Sequence, residues 1–237
     1  MANTVLLNNI DHKDLRVDTA RSAALGDAVM YALIFPAEFR DVQAHYPIVF
    51  RKAADGTFQP LALFGFKEGQ NLFLEDGRWD ATYLPLAIER QPFLIGSAGD
   101  ELLIHVDLDS PRVSMGDGAG EAVFLKYGGT TKFLDHVNSV LLSIHQGLES
   151  TPAFIEALLQ HELLESFVLD VQVEDGAEHR LAGFYTINED RLKRLDGNRL
   201  EQLNRAGHLE PIYMAIASLS NLRALIERMS RVHVADL

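Results

Sequence analysis

Cysteine is absent from the 237-residue chain. That excludes a disulfide framework, a cysteine-ligated zinc or iron–sulfur centre and a thiol nucleophile. Long apolar runs are missing as well: no stretch reaches the ~18 uninterrupted apolar residues of a membrane span. The N-terminal segment 1–10 holds no basic residue, and Asp11-His-Lys-Asp-Leu-Arg16 follows it instead of a small-residue cleavage site. Neither export nor membrane insertion is therefore expected, and the reading is a cytoplasmic protein. Positive charge is scarce, with 21 Lys and Arg against 34 Asp and Glu for a net charge of −13. Residues 1–175 carry 12 basic and 26 acidic side chains, whereas residues 176–237 carry 9 and 8. Such a surface repels phosphate backbones and anionic head groups, which argues against nucleic acid or a membrane surface as partner. Plain solubility or a cationic partner remains. Neither G-x-S-x-G nor G-x-x-x-x-G-K-[ST] occurs, so nucleophile-elbow and P-loop chemistry have no support.

What is present reads as a soluble folded chain, 47% hydrophobic and 23% charged. A chain of this length buries about 70% of its unfolded surface, so its core needs no staples. Val29 to Phe35 is a short apolar run ended by Pro36, which predicts a buried strand and then a short helix over 36–45. Ile48–Lys52 and Leu61–Phe66 predict a hairpin around Ala54-Asp55-Gly56. Asn71–Glu75, Phe93–Ile95, Glu101–Asp109 and Ala122–Leu125 read as further strands, with a helical stretch near Leu84–Glu89. After Gly128-Gly129 the period becomes helical. One helix is predicted from Thr131 to about His145. A second runs from Thr151 to Glu165, with Thr151 as N-cap and Pro152 at its first position. Phe167–Val173 and Leu181–Ile187 make a hairpin around Asp175-Gly176. Short helices over 188–195 and 198–205 precede a long C-terminal helix over 209–231, striped by Ile212, Ile216, Leu219, Leu222, Ile226 and Met229. The fold class is α+β: mainly antiparallel sheet in the first half, helices and a hairpin in the second. One domain over 1–237 is expected, with strand-rich 25–127 and helix-rich 128–237 sharing a core. The C-terminal helix closes that core in a monomer or buries a patch in a homodimer.

Several constellations have the look of chemistry. His105-Val-Asp107-Leu-Asp109 places an imidazole and two carboxylates on one face of a strand. His-x-Asp with a distant histidine is the facial triad of non-haem iron oxygenases, and His136, His145, His161 or His179 would supply the third ligand. The alternative is a polar strand face meeting water, with Asp109-Ser110-Pro111 turning the chain. Gly116-Asp-Gly-Ala-Gly120 has the wrong spacing for a dinucleotide loop and reads as a flexible hairpin tip. His161-Glu-Leu-Leu-Glu165 lacks the second imidazole of H-E-x-x-H, although His161 and Glu165 would share a helix face. Arg191, Lys193, Arg194, Arg199 and Arg205 read as the wet face of short helices, or as a contact for acidic groups.

The string Trp79-Asp-Ala-Thr-Tyr83-Leu-Pro85-Leu-Ala-Ile-Glu-Arg90-Gln-Pro92-Phe93 resembles the signature of the bacterial SapC family. Tyr46-Pro47-Ile48-Val49-Phe50, Gly65-Phe66 with Gly69 and Asn71-Leu72-Phe73, and Asp107 with Asp109-Ser110-Pro111 are similar to the same family. So are Gly183-Phe184-Tyr185 with Ile187 and Glu189, Gly207-His-Leu209 and Ser218-Leu219. The resemblance implies an accessory role tied to surface-layer or cell-surface biogenesis, and it assigns no catalytic residue. Family members lie beside genes for flavin-dependent halogenases, cupin-like hydroxylases and outer-membrane receptors.

Physically, Trp79 and Tyr83 stand four apart and would share a face if helical, while Pro85 and Pro92 fix the path of a connection. These rings pack a core, or with Arg90 and Asn71 they line a ligand pocket. The expectation is a non-enzymatic accessory protein that binds a polypeptide or protein partner through Asn71, Trp79, Tyr83 and Arg90, without a cofactor. One alternative is an iron(II) oxygenase using His105 and Asp107. Another is a structural surface-layer subunit, which would be found outside the cell.

Overall fold

A computed structural model describes residues 3–75, 77–99, 101–116, 118–172 and 178–235. The turn predicted at Asp175-Gly176 lies outside these residues, as does Asp117 of the glycine-rich segment. The chain opens with β1 (Thr4–Leu6), β2 (Leu15–Val17) and β3 (Tyr31–Leu33). A 3-10 turn over Pro36–Glu38 then runs into α1 (Phe39–Val42), with the proline where its missing N–H is not needed. β4 (Ile48–Lys52) and β5 (Phe58–Leu63) form the predicted hairpin, turned at Gly56 with φ 89°. The strand expected over 71–75 is shorter, because Asn71 Oδ1 accepts the Phe73 N–H and bends the chain first. Only β6 (Leu74–Glu75) remains, paired with β7 (Arg78–Trp79). α2 (Leu86–Glu89), β8 (Phe93–Ala98), β9 (Glu101–Asp107), β10 (Val113–Met115) and β11 (Glu121–Ala122) complete the first half. The second half holds α3 (Lys132–Gln160), β12 (Leu164–Gln172), β13 (Glu178–Ile187), α4 (Glu189–Lys193), α5 (Gly197–Arg205), α6 (Leu209–Ser218) and the C-terminal α7 (Asn221–Ala235).

The fold is α+β, and every strand pair among the described residues is antiparallel. The largest sheet has the order β12-β13-β4-β5-β3, so the late hairpin joins the early strands through Tyr185 opposite Phe50. β4 is central, and its Ile48, Val49 and Phe50 are all buried, the continuous apolar signature of a strand covered on both faces. Two smaller sheets, β1-β9-β8 and β10-β2-β11, surround a second apolar cluster that includes Leu15, Val17, Phe93 and Val106. β10 and β11 flank β2 on opposite sides and do not pair with each other. The segment 116–120 is therefore a crossover and not a hairpin tip. Gly120, at φ 107°, is required there because a Cβ would run into the Val17 carbonyl.

Three helical expectations change. The two helices predicted over 131–145 and 151–165 are one, capped by Thr131 with Pro152 inside it. Thr151 Oγ1 donates to the Gly147 carbonyl at 2.6 Å. On the far side of the proline, buried Phe154, Ile155 and Leu158 hold the helix against the main core, and that packing outweighs the local proline penalty. α3 ends at Gln160, Glu162 takes φ 52°, and Glu165 lies on β12, so His161 and Glu165 share no helix face. The span 209–231 is divided between α6 and α7. Ser218 Oγ accepts the Ile48 N–H at 2.8 Å, and Asn221 Nδ2 donates to the Gln43 carbonyl at 2.7 Å. Both side chains are tied to the first half of the chain, and the backbone between them tightens into a turn. Among the described residues no helix is long and apolar enough to cross a membrane.

Candidate functional site

The tryptophan–tyrosine segment is not helical but leaves β7 and bends at Ala81 and Thr82, and its side chains feed a hydrogen-bond relay. Tyr46, fully buried just before β4, accepts the Trp79 indole N–H at 2.6 Å and donates to the Tyr83 carbonyl at 2.5 Å. The rings of Tyr46, Phe64, Phe73 and Trp79 surround that junction, with Phe64 and Trp79 edge to face at 5.0 Å. Burial pushes the Tyr46 phenol upward. From the other end of the segment, the Tyr83 hydroxyl donates to Glu38 Oε2 at 2.7 Å.

Glu38 is the pivot of the site. It closes the turn that Pro36 opens and reaches back to the Phe35 N–H with Oε1 at 2.9 Å, half of a capping box. Its Oε2 also accepts the Leu86 N–H at 3.1 Å, so one carboxylate ties the Pro36 turn to the start of α2 behind Pro85. Only 4% of Glu38 is exposed. Burial pushes its carboxyl up to about 7 against the pull of those three donors, and the Asp41 charge adds to the rise. The Tyr83 phenol is raised too, first by burial and then by the Glu38 charge.

The pair forms the floor of a cleft of about 490 Å³ whose walls include Phe35, Asp41, Ser143, Gln146 and Ser150. Gly147 of α3 lets Phe35 in: a Cβ there would collide with the ring. The cleft thus combines a carboxyl that titrates near neutrality, a phenol, a second acid and an amide. It suits a cationic or hydrogen-bond-donating group.

The four residues proposed from the sequence do not meet in one pocket. Tyr83 lines this cleft, while Trp79 sits at the far end of the relay among aromatic rings. Asn71 Nδ2 donates to the Asp27 carbonyl at 2.8 Å, and Arg90 Nη1 donates to the Phe93 carbonyl at 2.6 Å. Burial lowers the Arg90 guanidinium from its ordinary value. His105 and Asp107 do share a face of β9; the His105 ring lies over Gly96, and Asp107 Oδ1 accepts the Asp109 N–H. His136 is engaged by Glu89 at 2.8 Å and His145 by Glu149 at 3.4 Å, whereas His161 caps the end of α3. The His179 side chain lies outside the described residues. Among the described residues no three His, Asp or Glu side chains gather as a metal site.

Glu38 and Asp41 escaped the sequence reading, because a capping box is signalled by Ser or Thr three residues before the glutamate and Phe35 stands there instead. A buried ion pair escaped it as well. Arg112 Nη2 donates to both Asp27 oxygens at 2.6 and 2.5 Å, and its Nη1 donates to the Ala20 carbonyl at 2.7 Å. Both side chains are essentially inaccessible.

An antiparallel α+β chain with a motif-built relay under a cleft is thus the setting in which its relatives matter. The chain belongs to the SapC family, whose model matches residues 7–225. No curated protein and no solved structure matches it.

Proposed function

We propose that the chain is a non-enzymatic accessory protein that holds a polypeptide partner at the Glu38–Tyr83 cleft. The observation that carries this reading is the concave wall itself: two acids, a phenol and the Ser143, Gln146 and Ser150 side chains, rigidly backed by the Trp79–Tyr46–Tyr83 relay. A lysine or arginine side chain of a partner fits that chemistry, since it ionises Glu38 on entry and is neutralised by it. The family's association with surface-layer genes directs the search to cell-surface biogenesis, served from the cytoplasm. The test is site-specific photo-crosslinking in the native cell, with the reactive residue at Gln146, at Asp41 or at the remote exposed Glu201. One and the same polypeptide adduct at both cleft positions, absent at Glu201 and lost on Glu38→Gln, is expected. Adducts that do not differ between the cleft and Glu201 would overturn the assignment.

A further inference from the structure

In an acidic chain, one concavity is cationic. Arg191 on α4, Arg194 at its end and Arg199 in the first turn of α5 line a cleft of about 310 Å³ with Gln160, His161 and Glu162. Arg191 Nη2 lies 2.6 Å from Glu162 Oε2, and Arg199 Nε lies 3.7 Å from Asp196. The Arg194 backbone N–H closes α4 on the Arg191 carbonyl at 3.1 Å, while its guanidinium has no hydrogen bond or ion pair among the described residues. Glu162 is the one non-glycine residue at positive φ among the described residues, 52°. A side chain in that region is held at a cost of about 1 kcal/mol or more, and here the strained residue lays its carboxylate on an arginine. Three arginines against Glu162 and Asp196 leave one positive charge at the resting cleft, and two once the Glu162 carboxylate is displaced.

We propose that this cleft binds a phosphate-class dianion, with Glu162 standing in for the ligand when the site is empty. A phosphate monoester carries about −1.5 to −2 at neutral pH, which matches the surplus. Guanidinium forks bind its oxygens bidentately. The Arg191–Glu162 pair is exposed on both sides, so it is worth little and yields readily to a stronger anion. A second cleft of about 330 Å³ shares Gln160 and His161 as a common wall and extends to His208, which leaves room for the organic part of a monoester. The site is separate from the Glu38–Tyr83 cleft and does not depend on its role.

The experiment is calorimetric titration of the full chain with inorganic phosphate and with free phosphoserine, at neutral pH and constant ionic strength. Saturable binding is expected, weakened roughly tenfold or more by Arg194→Ala with Arg199→Ala and strengthened several-fold by Glu162→Gln. All three positions are exposed, so the variants fold, and a thermal melt by circular dichroism verifies it. Undiminished binding in the double arginine variant would overturn the proposal. So would a double variant that only melts earlier, which would mean that the arginines serve the carbonyl end of α3. Equal competition by acetate would overturn the phosphate assignment in favour of carboxylates.

Discussion

At the scale of single residues, Glu38 sets a pH dependence whose sign is opposite to that of an ordinary carboxylate. Its folded value of about 7 lies above the ordinary 4.5, so between them the folded chain keeps a proton that the unfolded chain has released. The contribution of Glu38 to stability therefore falls as pH rises from about 4.5 to about 7, by roughly 3 kcal/mol in all. Urea unfolding of the wild type and Glu38→Gln at pH 5 and pH 8 checks this: the difference between them should shift toward the variant at pH 8 by an amount of that order. A difference independent of pH would contradict it. Arg112 makes the complementary case. Without Arg112, the Asp27 carboxylate keeps only the Ser22 N–H at 2.8 Å and the Arg21 guanidinium at 3.5 Å among the described residues. Arg112→Ala should therefore lose about 3 kcal/mol by urea unfolding, the low end for a broken buried pair, and Arg112→Ala with Asp27→Ala should lose more because Arg21 then loses its ion pair as well. These groups were hard to read from the sequence for a definite reason. Residue type and spacing singled out Trp79 and Tyr83, yet their partners Tyr46 and Glu38 lie 33 and 45 positions away. Asp27 and Arg112, 85 apart, look like any two solvated charges until the fold buries them.

At the scale of elements, α3 decides the arrangement, because its Gly147 is the seat of Phe35 and Phe35 separates the acidic cleft from an apolar groove of about 470 Å³. Gly147→Ala tests that seat. Alanine gains about 1 kcal/mol of helix propensity, whereas overpacking a buried ring costs about 1–3 kcal/mol. Phe35 is only 2% exposed and cannot swing away, so net destabilisation is expected, with recovery when Phe35→Leu is added. An unchanged or raised unfolding midpoint in Gly147→Ala would show that the ring yields. The hairpins, with their alternation and their Gly56 turn, were legible because the signals are local. Thr151-Pro152 misled because the same dipeptide starts a helix when nothing holds the preceding turn. Here Leu141, Ile144 and Val140 are buried before it, and Phe154 and Leu158 after it. The division of 209–231 was equally hidden: Ser218 and Asn221 are ordinary helix-surface residues until β4 and Gln43, just past α1, claim their side chains.

At the scale of the whole molecule, α3 contributes buried side chains to all three apolar clusters, and β13 from the second half lies beside β4 from the first. Thermal unfolding should therefore be one transition, with coincident midpoints for helix content and for the fluorescence of Trp79, the single tryptophan. Two separated midpoints would mean independent units. The same packing bears on self-association. The apolar stripe of the C-terminal segments is spent inside the chain: Ile212, Ala215, Leu225 and Met229 are buried, and Ile216, Leu222 and Ile226 pack against the same core. Arg228 fastens α7 further, with its guanidinium 4.5 Å from the Phe73 ring centre and 2.6 Å from Asp80. The large apolar side chains left exposed among the described residues are scattered, from Ile10, Met115, Leu125 and Tyr127 to Leu142, Leu148 and Leu159 on α3 and Tyr213 on α6. A surplus of 13 negative charges opposes pairing of like chains. Sedimentation at micromolar concentration should accordingly give the 26.4 kDa of one chain, and lowering the salt should not raise it. A dimer mass that Leu222→Glu or Ile226→Glu dissolves without lowering the unfolding midpoint would mean that the C-terminal stripe is spent between chains and not inside one.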